Sequence, residues 1–286
     1  MLRSSVTAYV ILFWATSLFA AQSTITEAEG TASMGDDKTR KQTEQNALAE
    51  AKRNAVEYTV TYLKSETKVK NGVVESDLIE AFSKASVNVV QVLERKWYRD
   101  EALGDCFMTR IKAEVIPDEK ALAAQQGTRA GSEADDPTAL LAVRAWADKG
   151  EYKTGETVKF FIKGNKPFYV RITYTDASGS VVQLLPNPFR AGNYFNGGAV
   201  YEMPSGEDQF ELKVSPPYGA EKITVYASTA QVGDVDLQAA GGVYEVKTKA
   251  SQVGNKTRGI KIQRKDDGKA TPAEFAETGI EIKTIK

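Results

Sequence analysis

The stretch FYVRITYTDASGSVVQLL occupies residues 168–185. Along it Tyr169, Arg171, Thr173 and Thr175 alternate with Val170, Ile172 and Tyr174, the two-residue period of a strand with unlike faces. Asp176-Ala177-Ser178-Gly179 then supplies a turn with glycine where positive φ is needed, and Val181 to Leu185 pairs back until Pro186 removes a ladder donor. The segment reads as a β-hairpin. Outward from it, further strands are predicted at 141–146, 157–163, 200–203, 210–214, 223–227, 259–263 and 279–285, with Gly, Pro and Asn turns between them. Many short strands of this kind predict an all-β, antiparallel, sandwich-like unit over residues 139–286.

Upstream the period changes. An extended stretch, 24–33, ends at Gly35 and Asp36. Leu48, Ala51, Ala55, Tyr58 and Tyr62 then recur every three or four residues, which places them on one face of a long helix, with Asp36 or Asp37 as its N-cap. Ala47, Ala49, Ala51 and Ala55 favour helix and are small enough for close packing on a sheet. Lys70-Asn71-Gly72 marks a tight turn, 76–85 a short helix, and 87–98 a strand. Gly104 breaks that strand, and 106–115 is its hairpin partner. Residues 24–116 therefore read as an α+β unit, a small antiparallel sheet packed by one long helix. Residues 117–138, rich in Ala, Gln, Gly, Ser and acids, read as a solvated linker.

At 286 residues the chain is long enough for two cores. Lys and Arg total 37 against 38 Asp and Glu, a balance that points away from nucleic acid and from a polybasic membrane surface. There is no histidine, which removes His-based triads, His zinc sites and the usual general base near neutral pH. The lone cysteine, Cys106, allows no intrachain disulfide or thiolate cluster and reads as a buried structural thiol. No Gly-x-Ser-x-Gly motif is present. Neither a catalytic residue, a cofactor nor a metal is expected from these patterns.

The N-terminus carries an address. Arg3 is followed by an apolar run over 9–19 and small residues at Ala20, Ala21 and Ser23. This is the pattern of a secretory signal peptide over residues 1–23, cleaved between Ala20 and Thr24, with an apolar run shorter than the roughly 20 residues of a spanning helix. With no cysteine near the cut, a lipoprotein is not expected. Arg3 is the only charged side chain in the leader, so its removal shifts the net charge from −1 to −2. The expected location is periplasmic or secreted, with no transmembrane helix after cleavage.

Two resemblances follow from ordered motifs. Glu29-Gly30-Thr31-Ala32, the Ala-rich Asn46-Ala47-Leu48-Ala49-Glu50-Ala51, Val69-Lys70-Asn71-Gly72 and the closing Lys112-Ala113-Glu114-Val115 resemble the N-terminal domain of the FlgT-type flagellar H-ring proteins and the lipoprotein-20-type envelope domains. That resemblance implies a periplasmic protein–protein interaction module; it does not carry a flagellar role over. Tyr152-Lys153-Thr154-Gly155-Glu156-Thr157-Val158, Tyr169-Val170-Arg171-Ile172, Leu184-Leu185-Pro186-Asn187-Pro188, Met203-Pro204 and Pro216-Pro217-Tyr218-Gly219 are similar to a bacterial family of exported proteins catalogued as a domain of unknown function. It implies an envelope context and no particular activity.

Candidate contact residues are of two kinds. Asn193, Tyr194, Phe195 and Asn196 put two amides and two aromatics on a glycine-flexible loop, residue types that stack on and hydrogen-bond to sugars or peptides; an ordinary packed loop is the structural alternative. Trp97 and Tyr98 are aromatic anchors for a docked protein. Asp176 and Ser178 could hold calcium but lack the acid density of a calcium loop, so a plain hairpin turn is the reading. The function expected is a non-enzymatic cell-envelope module that binds one or more envelope proteins. Peptidoglycan or polysaccharide binding is the alternative, and a carboxylate-based hydrolase, with two acids facing across a cleft, the further one.

Overall fold

The computed structural model describes residues 21–66, 72–118, 135–206, 208–240, 243–259 and 271–286. The first unit comprises β1 (Ala21–Ser33), α1 (Arg40–Glu66), α2 (Gly72–Ser83), β2 (Ser86–Asp100) and β3 (Gly104–Ile116). It is the α+β layer expected, with α1 lying on the antiparallel sheet β1-β3-β2. Thr39, rather than Asp36 or Asp37, starts the helix. Its hydroxyl accepts the Gln42 N–H at 3.3 Å while the Gln42 amide oxygen accepts the Thr39 N–H at 2.8 Å, a reciprocal capping box.

The buried stripe of α1 is Thr43, Ala47, Ala51, Ala55, Thr59 and Leu63. Tyr58, expected on that face, is 48% exposed. A strict four-residue spacing drifts by about 40° per step, so the stripe winds around the helix and follows the twist of the sheet instead of keeping to a straight line. At the centre of the contact sits Gly30 of β1. A Cβ there would meet the Ala47 carbonyl oxygen and the Ala51 nitrogen, each at 2.2 Å.

The second unit holds β4 (Val143–Ala147), β5 (Glu151–Lys153), β6 (Phe160–Gly164), β7 (Phe168–Thr175), β8 (Val181–Leu185), β9 (Tyr194–Phe195), β10 (Val200–Met203), β11 (Ala220–Ser228), β12 (Leu237–Ala240), β13 (Val243–Val246), a helix α3 (Ala250–Arg258) and β14 (Ala273–Ile285). Among the described residues the sheet order is β12-β13-β8-β7-β11-β14-β1-β3-β2, so one sheet runs through both units by way of β14 and β1. The three-stranded sheet β10-β6-β4 closes the sandwich. Between the layers lie Tyr152, Phe160, Ile162, Phe168, Ile172 and Val225.

Three expectations are corrected. The unit is not β throughout, because α3 covers the other face of the large sheet and builds a second core from Ile25, Tyr226, Val253 and Phe275. That cover buries Arg171 and Thr173, the polar residues of the alternating strand β7. Residues 210–214 form no strand: Val158 N–H donates to the Leu212 carbonyl at 2.8 Å and Val214 N–H to Glu156 at 2.9 Å, but the only ladder there is the isolated bridge Thr157–Lys213. β5 joins β14 in parallel, the exception in an otherwise antiparallel sheet. Of the strand expected at 259–263, Gly259 follows α3 as its C-cap and the rest lies outside the described residues.

Adjacent residues bolt the two units together. Leu140 plugs the core beneath α1, and Leu141 plugs the sandwich core. The Leu141 carbonyl accepts from the Gln22 side-chain amide at 3.2 Å. Asn165, 3% exposed, holds the incoming chain by donating to the carbonyls of Asp136 at 2.8 Å and Leu140 at 2.9 Å and accepting from Ala142 N–H at 2.9 Å. Two buried carboxylates complete the seam. Glu274 accepts from Lys166 Nζ at 2.9 and 3.1 Å and from Leu141 N–H at 2.6 Å. Glu114 accepts from Ser23 Oγ at 2.8 Å and from Arg258 Nε at 2.7 Å.

Burial of three phenols sets an alkaline limit. Burial pushes Tyr226 up to about 12, and Tyr152 and Tyr174 are raised by burial too, helped by hydrogen bonds to Asp148 and Glu221 respectively. The folded state holds these protons more tightly than the unfolded chain, whose tyrosines titrate near 10. The associated stability is complete below about pH 10 and is lost as pH rises through the folded values. The urea midpoint is expected to hold level from pH 8 to 9.5 and to fall steeply above 10. A level midpoint up to pH 11.5 would contradict burial of these hydroxyls.

Candidate binding cleft

The loop expected to present two amides and two aromatics spends most of them on itself. Asn193 donates its side-chain amide to the Val170 carbonyl at 2.9 Å, and its own carbonyl accepts Val170 N–H at 2.8 Å. Phe195 is a core residue, stacked on Phe168 at 5.7 Å and edge-on to Tyr201 at 4.8 Å. Asn196 is exposed, its backbone N–H donating to the Tyr201 hydroxyl at 3.1 Å. Tyr194 is the outward residue of the set, 52% exposed and leaning on Tyr169.

Trp97 is likewise occupied. It packs on Phe107 at 5.1 Å beneath the guanidinium of Arg40, and its indole N–H donates to Glu44 at 3.3 Å. This is a cross-strand and helix contact that fixes the N-terminal end of α1. Tyr98, the next residue, points to the opposite face of the sheet as strand alternation requires. It faces a cleft of about 490 Å³ whose lining includes Thr31 and Ser33 of β1, Ala49 and Arg53 of α1, and Leu103 of the β2–β3 turn. Leu103 is 61% exposed. Burial, the first cause, and the neighbouring Cys106 raise the Tyr98 phenol above its ordinary value, so it meets a ligand as a neutral hydroxyl. Cys106, also in the lining, is buried as expected.

Charge in the cleft is modest. Glu50 is the carboxylate of its lining, and it is bound by Arg53. Lys38 is half-buried there and makes no ion pair with a described residue. Three acids are buried elsewhere: Glu114 and Glu274 each sit on a cation in the seam, and Glu221 accepts from the Thr284 hydroxyl at 2.8 Å. Asp176 is used by its own hairpin: one oxygen takes the N–H groups of Ser178 at 2.8 Å and Ser180 at 2.9 Å and the Ser178 hydroxyl at 2.6 Å. Burial raises its carboxyl, but these hydrogen bonds outweigh burial and hold it below the usual range. No group of three or more metal-ligating side chains occurs among the described residues.

Of the cleft lining, sequence reading singled out Tyr98 as a contact residue and missed the rest, among them Lys38, Asn46, Arg53 and Leu103. They lie in two stretches some fifty residues apart, and no local pattern marks them. Compared with known families, residues 151–231 match a model described as a domain of unknown function (DUF4384), the part of the chain that carries the hairpin and two of the three strands, β6 and β10, of the outer sheet. No curated protein and no solved structure matches the chain. Among the described residues no helix is long and apolar enough to cross a membrane.

Proposed function

We propose that the chain is an exported, non-enzymatic cell-envelope protein that serves as a protein–protein interaction or assembly module. The cleft carries this reading. Tyr98 and Leu103 offer apolar surface with a polar tip on one side, α1 stands on the other, and the core packed between α1 and the sheet holds that wall in place. Such a site suits docking of a chain segment: a few aromatic and aliphatic anchors contribute most of the energy, and the surrounding charges contribute little. The leader pattern, the FlgT-type resemblance of residues 24–116 and the resemblance of the second unit to a family of exported proteins support the envelope context.

Site-specific photo-crosslinking in cells tests it. A crosslinker at position 98 or 103 is expected to give one discrete protein adduct that is lost on Ala49→Trp, a substitution that fills the cleft from α1. Adducts at 98 no stronger than at exposed Val243, on the far side of the sheet, would refute it.

Export itself predicts a cut site. β1 begins at Ala21, opposite Glu277 of β14, and Gln22 and Ser23 both bond across the seam. Cleavage after Ala20 keeps the whole strand, whereas cleavage after Ser23 removes three ladder residues. N-terminal sequencing of the secreted chain is expected to begin at Ala21.

A second reading, polysaccharide binding, draws on one observation. Trp146 stacks on Phe161 at 5.7 Å on the outer face of β4 and β6, with Arg144 beside it. Cosedimentation with peptidoglycan sacculi, lost on Trp146→Ala, would favour it.

A further inference from the structure

Resting on the binding role proposed above, we infer that the outer edge of β1, from Glu27 to Ser33, takes up an extended segment of the partner protein as an added strand. β14 pairs with β1 only from Ala21 to Ile25, while β3 pairs with it from Thr24 to Ser33. Beyond Ile25 no described strand lies on the β14 side. Which main-chain groups face that open side follows from alternation. Glu274 N–H and carbonyl are directed at Thr229 and away from β1, so its partner Thr24 turns its own groups toward β3. Counting by twos, Ala28, Gly30 and Ala32 also serve β3, whereas Glu27, Glu29, Thr31 and Ser33 face outward. Two contacts agree with this phase: Met34 N–H donates to Asp105 on the β3 side, and the Glu29 carbonyl accepts the Asn54 side-chain amide at 2.7 Å on the open side.

The occupant follows from what is left. Thr31 and Ser33 present N–H and C=O groups in strand spacing inside the cleft, with α1 as one wall and Tyr98 with Leu103 as the other. Another extended main chain is the chemical group that matches such a row, and it would continue the line that β14 occupies along the same edge. Side-chain preference comes from Lys38, the cation of the lining that lacks a described carboxylate, so the added strand carries an acidic residue opposite it.

Amide hydrogen exchange by NMR on the mature chain tests the inference, with a display library of linear seven-residue peptides as the probe. In the free protein the Thr31 and Ser33 amides are expected to exchange about a hundredfold faster than Gly30 and Ala32, which are bonded to β3. A selected peptide, enriched in Asp or Glu, should slow Thr31 and Ser33 about tenfold or more. Thr31→Pro removes an outward N–H that the fold does not use and should abolish the selected binding; Ala49→Trp gives the same loss without touching the strand. Slow Thr31 and Ser33 amides in the free monomer would mean that the chain covers its own edge, and protection that grows with protein concentration would mean that a second copy does; either result overturns the strand inference. Peptides that bind and shift Tyr98 but leave both amides fast overturn it while the binding role survives. Selection of no peptide, together with absent crosslinks at position 98, removes both.

Discussion

Glu274→Ala is expected to lower stability by about 3–5 kcal/mol, the size typical for removing one partner of a buried ion pair. Glu274 is 3% exposed and stands where four parts of the chain meet: Tyr62 from α1, Leu141 at the entry to the second unit, Lys166 after β6, and its own strand β14. Truncation leaves the Lys166 ammonium and the Leu141 N–H without an acceptor, and it is this stranded charge, more than the lost attraction, that sets the magnitude. For a chain of this length the melting temperature should fall by roughly 6–20 °C. The loss belongs to the seam, so the two units are expected to part. Limited proteolysis should become faster both in the linker and near Ala21. Glu274→Ala with Lys166→Met removes both charges and is expected to recover much of the stability. An unchanged melting temperature in the single variant would show that Lys166 finds water instead.

Much of this architecture is legible in the sequence because it is local. The hairpin at 168–185 has a two-residue period and a glycine turn, and both reappear as β7 and β8 with Gly179 at φ 86°. The long helix is visible in its alanines, and Ala51 and Ala55 of its buried stripe with them, but the rest of the stripe is not. Thr43 and Thr59 belong to that stripe and look polar on paper, while Tyr58 looks apolar and faces water. Helix α3 is illegible for the same reason. It buries only Val253 and Thr257, so its stripe is two residues long and its Gly254 reads as a turn.

The site fares worse, for a physical reason. Whether an aromatic is free to meet a ligand depends on what has packed on it, and those neighbours are distant in sequence. Phe195 is claimed by Phe168 and Trp97 by Arg40 and Glu44, whereas Tyr98 escapes by alternation alone. The open edge of β1 is further from view. It depends on where β14 stops pairing, which is settled at Ala273, some 250 residues downstream.

Gly30→Val is expected to undo the first unit. The Cβ would fall 2.2 Å from the Ala47 oxygen, 2.2 Å from the Ala51 nitrogen and 2.8 Å from the Ala51 Cα, all of them backbone atoms that no rotamer change can move aside. Relief requires α1 to rise from the sheet by more than an ångström over its central turns. Overpacking in a closed core costs about 1–3 kcal/mol even where side chains can give way. Here the contacts of Ala47, Ala51 and Ala55 with the sheet are lost as well, and because small side chains reach so short a distance, little replaces them. A loss above about 4 kcal/mol is expected, near the exceptional end for single substitutions. The control is Gly192→Ala, where an added Cβ meets nothing within 4 Å and φ is unrestricted; its urea midpoint should match the parent chain. Gly30→Ala should fall between the two, since the methyl group already produces the clash and valine adds bulk to it. Because the helix forms one wall of the cleft and the strand it rests on forms the floor, the valine variant should also lose the crosslink at position 98 at temperatures where circular dichroism still reports the sandwich intact. Equal midpoints for Gly30→Val and Gly192→Ala would mean that α1 does not lie on β1 at this distance, and the cleft between them would go with it.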